Sequence, residues 1–176
     1  TRTAWAVGMV YDKITDTEFR KAMDKAVRDL AVLLDKESAS TPFGVPFKPD
    51  VWGDGWNIQS AGVRYYFLLT GFPGVFRADR IFSTVQYVLG CHPGENTASF
   101  SSGVGVKSLL QAYGTSRADL SYISGGVASG TAIIRPDSPE LKDNWPFLWQ
   151  QTEYVMGGGE TDFMFLVMAA NKLLGK

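Results

Sequence analysis

The sequence predicts an all-α chain whose helices form part of a barrel made of two concentric helical layers. Apolar residues recur at helical spacing in four or five segments. Two of these segments, 3–11 and 163–170, are apolar on nearly every side, so each needs cover all round. Tight turns alternate with long loops rich in glycine and tryptophan. A second layer of helices outside the first would supply the missing cover.

A start signal and an apolar stripe predict the first long helix. Thr15 and Glu18 have the spacing of a capping box, and Ile14 with Phe19 can form a hydrophobic staple outside it. The apolar stripe behind the cap runs to about Lys36 and comprises Phe19, Met23, Ala26, Val27, Leu30, Leu33 and Leu34. Residues 37–55 hold three prolines and three glycines, which predicts a long loop after this helix.

A helical hairpin is predicted next, from residues 56–69 and 75–89 around the Gly-Phe-Pro-Gly turn at 71–74. Its apolar positions are Ile58, Ala61, Tyr65, Leu68, Ile81, Val85 and Val88. The stretch 92–146 is rich in glycine, serine and threonine, and we expect mostly loop there, with a short helix near 106–112 and a strand near 131–135. The last predicted helix spans 160–174, with Thr161 as a candidate cap.

Composition narrows the class of ligand. The 176 residues are 45% apolar, which fits one domain with a substantial core. Seventeen basic and eighteen acidic residues nearly cancel, so neither nucleic acid nor an anionic membrane is an expected partner. No apolar run reaches the length of a membrane span, and we do not expect the first residues to be a signal peptide. The single cysteine, Cys91, cannot form an internal disulfide. A neutral ligand is the best fit.

The segment 86–107 carries the most specific pattern in the chain. It resembles the "DYILGDNP…SYVVGFGTK" segment of family 9 glycoside hydrolases, with a short insertion after Pro93. The residues that match in type and order are Tyr87, Leu89, Gly90, Pro93, Ser99, Gly103, Gly105 and Lys107. Residues 52–68 are similar to the family's "WGS…NAAFLALVY" helix, a weaker match.

This resemblance implies an inverting endoglucanase built on an (α/α)6 barrel, the six-hairpin architecture. Complete enzymes of this kind run to several hundred residues, so we expect the chain to be one C-terminal segment of such a catalytic domain. The N-terminal helices would then come from outside these residues or from another chain, unless the chain closes its core by self-association. For the parent protein the resemblance implies a secreted or periplasmic bacterial location. It implies no cofactor and leaves calcium open.

The resemblance places the general acid near the start of the last helix, where the family has "NEVAxDYNAGF". Asp162 and Phe163 match the family's Asp-Tyr, but Gly158 then stands at the glutamate's position. Glu153 and Glu160 are therefore the candidate acids. Glu153 is favoured because nearby aromatic residues could raise its pKa. Glu160 has an alternative role as a carboxylate that stabilises the helix dipole.

The family's catalytic base lies in a "DAGD" motif, which does not occur in this chain, so the segment alone is expected to be inactive. The family's His-x-Arg, which holds sugar hydroxyls, is also missing. Tyr113 stands at the histidine's place, Arg117 lies nearby and Lys107 precedes them. These three are the expected substrate-binding residues of this region, and the sugar need not be cellulose.

His92 and two tryptophans complete the candidate site. His92 replaces the asparagine of the family's "GDNP" and would line the sugar cleft or satisfy loop carbonyls. Its neighbour Cys91 suggests a nucleophile dyad or a zinc site, but no further histidine or cysteine exists to complete a metal site, so none is predicted. Trp52 and Trp145 could stack on sugar rings or close the barrel rim.

Two functions from other classes stay open. The chain could be a carbohydrate-binding or scaffold fragment that keeps the aromatic cleft without the pair of carboxylates. It could also be a half-barrel related to the (α/α)6 polysaccharide lyases, in which Tyr113 or Tyr122 would act as the base on a uronic acid. The sequence shows no basic patch that would hold such an acid.

Overall fold

The computed structural model describes residues 2–41, 43–45, 54–91, 99–105, 124–127, 132–135, 138–140 and 157–175. Five α-helices run through these residues: α1 (Arg2–Gly8), α2 (Thr17–Ala39), α3 (Asp54–Gly71), α4 (Asp79–Val88) and α5 (Gly157–Leu173). A 3-10 turn at Tyr11–Lys13 separates α1 from α2. The antiparallel strands β1 (Ala132–Arg135) and β2 (Ser138–Glu140) form one small hairpin between α4 and α5.

Three helices, α1, α3 and α5, lie side by side and point in the same direction. The rings of Trp5 and Phe67 are 5.5 Å apart. About one turn further along both helices, Gly8 lies against Gly71. On the other side of α3, Gly159 lies against Trp56, and Leu166 against Gly62. In each pair of helices, residue numbers rise on both helices from one contact to the next, so the two helices are parallel. These three helices are called the inner row below.

The helices α2 and α4 cover one face of the inner row. α4 returns from α3 through the turn at 72–78, so it runs opposite to α3, and it contacts both α3 and α5. Arg80 of α4 is buried and forms an ion pair with Asp35 of α2. The four helices α2 to α5 contribute fully buried side chains to the core, among them Val27, Ile58, Leu68, Ile81, Tyr87, Val88 and Leu166. This arrangement is the two-layer one that the sequence predicts.

The hairpin of α3 and α4 is confirmed in position and in buried face. Of the seven predicted apolar positions, six are buried and Val85 is half-buried. The short strand expected near 131–135 is also present, as β1. The short helix expected near 106–112 lies outside the described residues.

The start and the stripe of α2 differ from the prediction. The N-cap is Asp16, whose side chain accepts a hydrogen bond of 2.9 Å from the backbone N–H of Phe19, and Thr15 lies outside the helix. Glu18 pairs with Lys21 instead of reaching back to the cap. Aspartate and threonine are both good N-caps, so the sequence pattern alone did not decide between the adjacent residues Thr15 and Asp16. Phe19 and Leu33 of the predicted stripe are exposed, and the helix continues three residues past Lys36, to Ala39.

The prediction that two helices are covered on every side is wrong for the residues described. Helix α1 ends at Gly8, and Met9 and Val10 after it are about half exposed. On α5, Met164 is 63% and Met168 is 69% exposed. Helix α5 also begins earlier than expected, so Thr161 lies inside it and is not its cap. None of the helices in the described ranges has both the length and the apolarity needed to cross a membrane.

Candidate functional site

The N-terminal ends of α3 and α5 meet at one end of the inner row. A Cβ atom added to Gly159 would lie 2.7 Å from Nε1 of Trp56 and 3.4 Å from Cβ of Val127, so only glycine allows this approach. The three glycines before Glu160 are thus the first turn of α5, which packs its backbone against an indole ring. We call this end of the inner row the N-terminal rim.

The Gly-punctuated segment after α4 forms an ordered turn at the same rim. The N–H of Phe100 donates to the carbonyl of Val88 at the end of α4, at 2.8 Å. The Ser99 hydroxyl accepts from the N–H of Ser101 and donates to its carbonyl, both at 2.9 Å. Ser101 in turn forms an isolated antiparallel bridge with Val127. The turn is therefore held between the end of α4 and the segment 124–127.

Glu160 joins this turn to the first turn of α5. Its Oε1 accepts a hydrogen bond of 2.9 Å from the backbone N–H of Val127, the residue that bridges to Ser101. Its Oε2 is buried and has no hydrogen-bond donor among the residues described. One carboxylate oxygen is thus fixed while the other keeps its capacity to bind a proton or a hydroxyl group. The sequence-predicted Glu160 and the Ser99–Gly105 turn lie together.

A second carboxylate, Asp162, faces α3 one half-turn further along α5. Burial raises the pKa of the Asp162 carboxyl, and the nearby Arg64 guanidinium on α3 opposes part of that rise. Arg64 donates a hydrogen bond of 3.0 Å to the hydroxyl of Ser60. In the sequence, Asp162 stands out only as a motif match, and no pattern singles out Arg64. Asp162 is three residues from Gly159 and four from Leu166. This spacing was the sequence signal that the three residues lie on one side of α5.

Two more polar side chains are buried close to this rim without partners. Neither amide atom of Gln59 nor the hydroxyl oxygen of Ser101 has a hydrogen-bond partner among the residues described. Gln59 lies one helical turn after Trp56 and one turn before Gly62, so it belongs to the side of α3 that faces α5. Buried polar groups in native proteins are normally hydrogen-bonded. The interior behind the N-terminal rim is therefore polar.

Most of the other predicted site residues lie outside the described ranges. These are Glu153, His92, Trp52, Trp145, Tyr113, Arg117 and Lys107. Cys91 is described and exposed. Within the described ranges, no three histidine, cysteine, aspartate or glutamate side chains come together as metal ligands would.

An open pocket in the described part of the chain lies at the opposite end of the inner row. It has a volume of about 580 Å³ and is lined by Met9, Tyr11, Arg20, Phe67, Gly71 and Pro73, among others. Arg20 lies over the Tyr11 ring at 4.8 Å, and the Tyr11 hydroxyl donates to Asp24. Arg20 is thus engaged by the Tyr11 ring, and none of the predicted site residues lines the pocket.

Comparison with solved structures finds the same fold in two endoglucanase structures. One is a single-mutant thermostable endoglucanase from Alicyclobacillus acidocaldarius, with a TM-score of 0.64 and 16% identity. The other is AaCel9A in complex with cellobiose-like isofagomine, with a TM-score of 0.60 and 14% identity. Each match covers 88% of this chain and 32% of the solved chain, so the chain spans about a third of the length of these structures.

At this level of identity the likeness shows the fold, and it confirms the predicted fold class: a mainly α-helical, partial (α/α)6 barrel like that of the matched structures. No protein-family model matches the sequence. No curated protein matches it either.

Proposed function

We propose that the chain is the C-terminal portion of an inverting glycoside hydrolase that acts on a β-linked polysaccharide or oligosaccharide. In this proposal the N-terminal rim is one wall of the saccharide cleft, and further inner helices lie outside these residues. The endoglucanase-like fold supports the proposal. The observation that carries it is the place of Glu160, whose buried Oε2 has no described donor beside the Ser99–Gly105 turn.

An inverting mechanism divides the chemistry between two carboxyl groups. One protonates the leaving oxygen while the other activates a water on the opposite face of the sugar, and the two lie about 6.5–9.5 Å apart. Glu153 or Glu160 would be the acid in this chain. The base would be supplied by residues outside the chain, because the sequence has no counterpart of the "DAGD" motif.

In the proposed cleft, the contacts to the sugar would come from residues next to the rim. Trp52 and Trp145 would cover the apolar faces of sugar rings, and His92 would line the cleft. Tyr113, Arg117 and Lys107 would bind hydroxyl groups in place of the family's His-x-Arg. A parent protein with this activity would be secreted or periplasmic, where polymeric substrates are found.

One observation favours a non-catalytic carbohydrate-binding fragment as the second candidate. Glu160 already accepts a backbone hydrogen bond from Val127, which gives its carboxylate a structural role. The two candidates make opposite predictions for a substitution that keeps the shape of the side chain.

We expect Glu160→Gln or Glu153→Gln to slow hydrolysis of a soluble β-glucan, by at least about 100-fold, because general acid catalysis contributes about 10²–10⁴ in rate. The assay uses the chain together with the residues encoded upstream of Thr1. Glu18→Gln, which removes an exposed carboxylate on α2, is the matched control and should keep full activity. A wild-type protein that binds the glucan without cleaving it supports the binding fragment. Activity that survives both substitutions rules out both acids.

A further inference from the structure

Val127 belongs to a short antiparallel ladder at the N-terminal rim. The N–H of Ser102 donates to the carbonyl of Gly126 at 2.9 Å, and Ser101 is bridged to Val127. Ser101 and Val127 are both buried. The ladder therefore holds Val127 firmly against the Ser99–Gly105 turn.

The pairing decides where the backbone N–H of Val127 points. Because the hydrogen bond runs between the flanking residues, Ser101 and Val127 form a non-hydrogen-bonded pair, and the N–H of Val127 points away from the Ser101 strand. A buried N–H needs an acceptor, so this one has to find it on another element. Glu160 on α5 supplies the acceptor, with its Oε1 at 2.9 Å.

This hydrogen bond fixes the orientation of the whole carboxyl group of Glu160. The last torsion of a glutamate side chain, which turns the carboxyl plane, has a broad distribution when nothing holds it. With Oε1 held by Val127, the direction of Oε2 is set as well. Oε2 is buried and has no hydrogen-bond partner among the residues described. The side chain of Val127 also lies against Gly159, so it helps to place the backbone from which Glu160 extends.

We propose that the backbone N–H of Val127 positions Glu160, so that Oε2 points at the leaving oxygen of the glycoside. The inference rests on the proposed function and selects Glu160 over Glu153 as the acid. In the reaction, the proton on Oε2 moves to the glycosidic oxygen while the bond from that oxygen to the anomeric carbon breaks, and the oxygen keeps the electron pair. A water on the opposite face attacks the anomeric carbon and gives its proton to the base.

A positioning group acts on the chemical step and not on the binding of substrate. Misplacing a reacting group by about 1 Å can lower the rate about 100-fold. Val127 would contact the acid and not the sugar, so losing its N–H should lower kcat and leave KM unchanged. The loss should also depend on the leaving group, because a leaving group that departs without a proton needs no general acid. A merely structural role would not distinguish between leaving groups.

The test is Val127→Pro, which removes this N–H, in the same protein as in the hydrolysis assay. The ladder should survive, because the N–H donates to Glu160 and not across the ladder. On the soluble β-glucan we expect kcat to fall about 10- to 100-fold with KM unchanged. The rate with dinitrophenyl β-cellobioside, whose leaving group needs no proton, should stay close to that of the wild type. Gly74→Ala strains the backbone at a φ of 77° in the turn after α3 and should keep the wild-type kcat on both substrates.

Replacing Val127 by its α-hydroxy acid exchanges the N–H for an ester oxygen and keeps the side chain. This second variant takes the place of Val127→Pro if circular dichroism shows that the proline variant does not fold. An unchanged kcat on the β-glucan would overturn the inference, as would an equal loss on both substrates. If Glu153→Gln slows hydrolysis and Glu160→Gln does not, the inference fails while the proposed function stands. A wild type that cleaves neither substrate refutes both.

Discussion

Gly71→Val is expected to destabilise the protein by about 3 kcal/mol or more, because overpacking at a site that cannot relax is among the costliest single changes. A Cβ atom at position 71 would lie 2.6 Å from the Cα, carbonyl carbon and carbonyl oxygen of Gly8. All three are backbone atoms, so no side chain can rotate away. Helices α1 and α3 would have to separate, and the contact between the Trp5 and Phe67 rings would be lost with them.

Urea unfolding followed by circular dichroism measures this effect. Gly74→Ala is the control, because no atom lies within 4 Å of a Cβ added at position 74. The only cost of this substitution is the backbone strain of an alanine at a φ of 77°. The expected cost of that control is about 1 kcal/mol. If Gly71→Val were no more destabilising than Gly74→Ala, α1 and α3 could not be in the close parallel contact described.

Leu166→Ala is expected to cost about 3–4 kcal/mol, the usual range for a leucine removed from a rigid core. Leu166 is fully buried on α5 and touches the position of Gly62, where the added Cβ would also meet Thr84 of α4. Three helices from both layers meet at this point, so little can move to fill the cavity. Two-state unfolding in urea gives the free energy directly.

The matched control is Met168→Ala, two residues along the same helix, where the side chain is mostly exposed. A substitution at such a surface position usually changes stability by no more than about 0.5 kcal/mol. Similar costs for Leu166→Ala and Met168→Ala would contradict the assignment of the buried and exposed faces of α5. They would also remove the basis for placing Asp162 toward α3.

The helical hairpin could be predicted from sequence because two independent signals agreed. Ile58, Tyr65 and Ile81 repeat at helical spacing, and the turn at 71–74 separates the two runs. Burial at these positions follows from the periodicity alone. The two-layer arrangement also followed, because helices with a wide apolar surface need neighbours on more than one side.

Other features depend on contacts that the sequence pattern does not contain. The start of α5 could not be read from Gly157 to Gly159, since three glycines usually indicate a loop. Here they allow the backbone to approach Trp56, and that contact offsets their poor helix propensity. Met164 and Met168 are exposed, although the sequence predicted that they are enclosed. An apolar side chain can be buried by a neighbour, but its apolarity does not show that a neighbour is present.

The candidate site was predictable only in part. The resemblance indicated Glu160 and the Ser99–Gly105 turn, and the structure brings both to one rim through Val127. Arg64 on α3 influences the pKa of the Asp162 carboxyl on α5 because the two helices pack side by side. The two residues are 98 positions apart, and no local spacing relates them. Glu153, Trp52 and His92 lie outside the described residues and stay predictions.

We propose that the N-terminal rim, where α3, α5 and the Ser99–Gly105 turn meet, binds a saccharide. Backbone amide chemical shifts recorded during a titration with cellotetraose test it most directly. We expect the perturbed amides to cluster at Trp56, Ser101, Val127 and Gly159, while Gly8, Tyr11 and Gly71 at the opposite end stay unchanged. Shifts concentrated in the pocket between Tyr11 and Gly71, or no shifts at all, would contradict it.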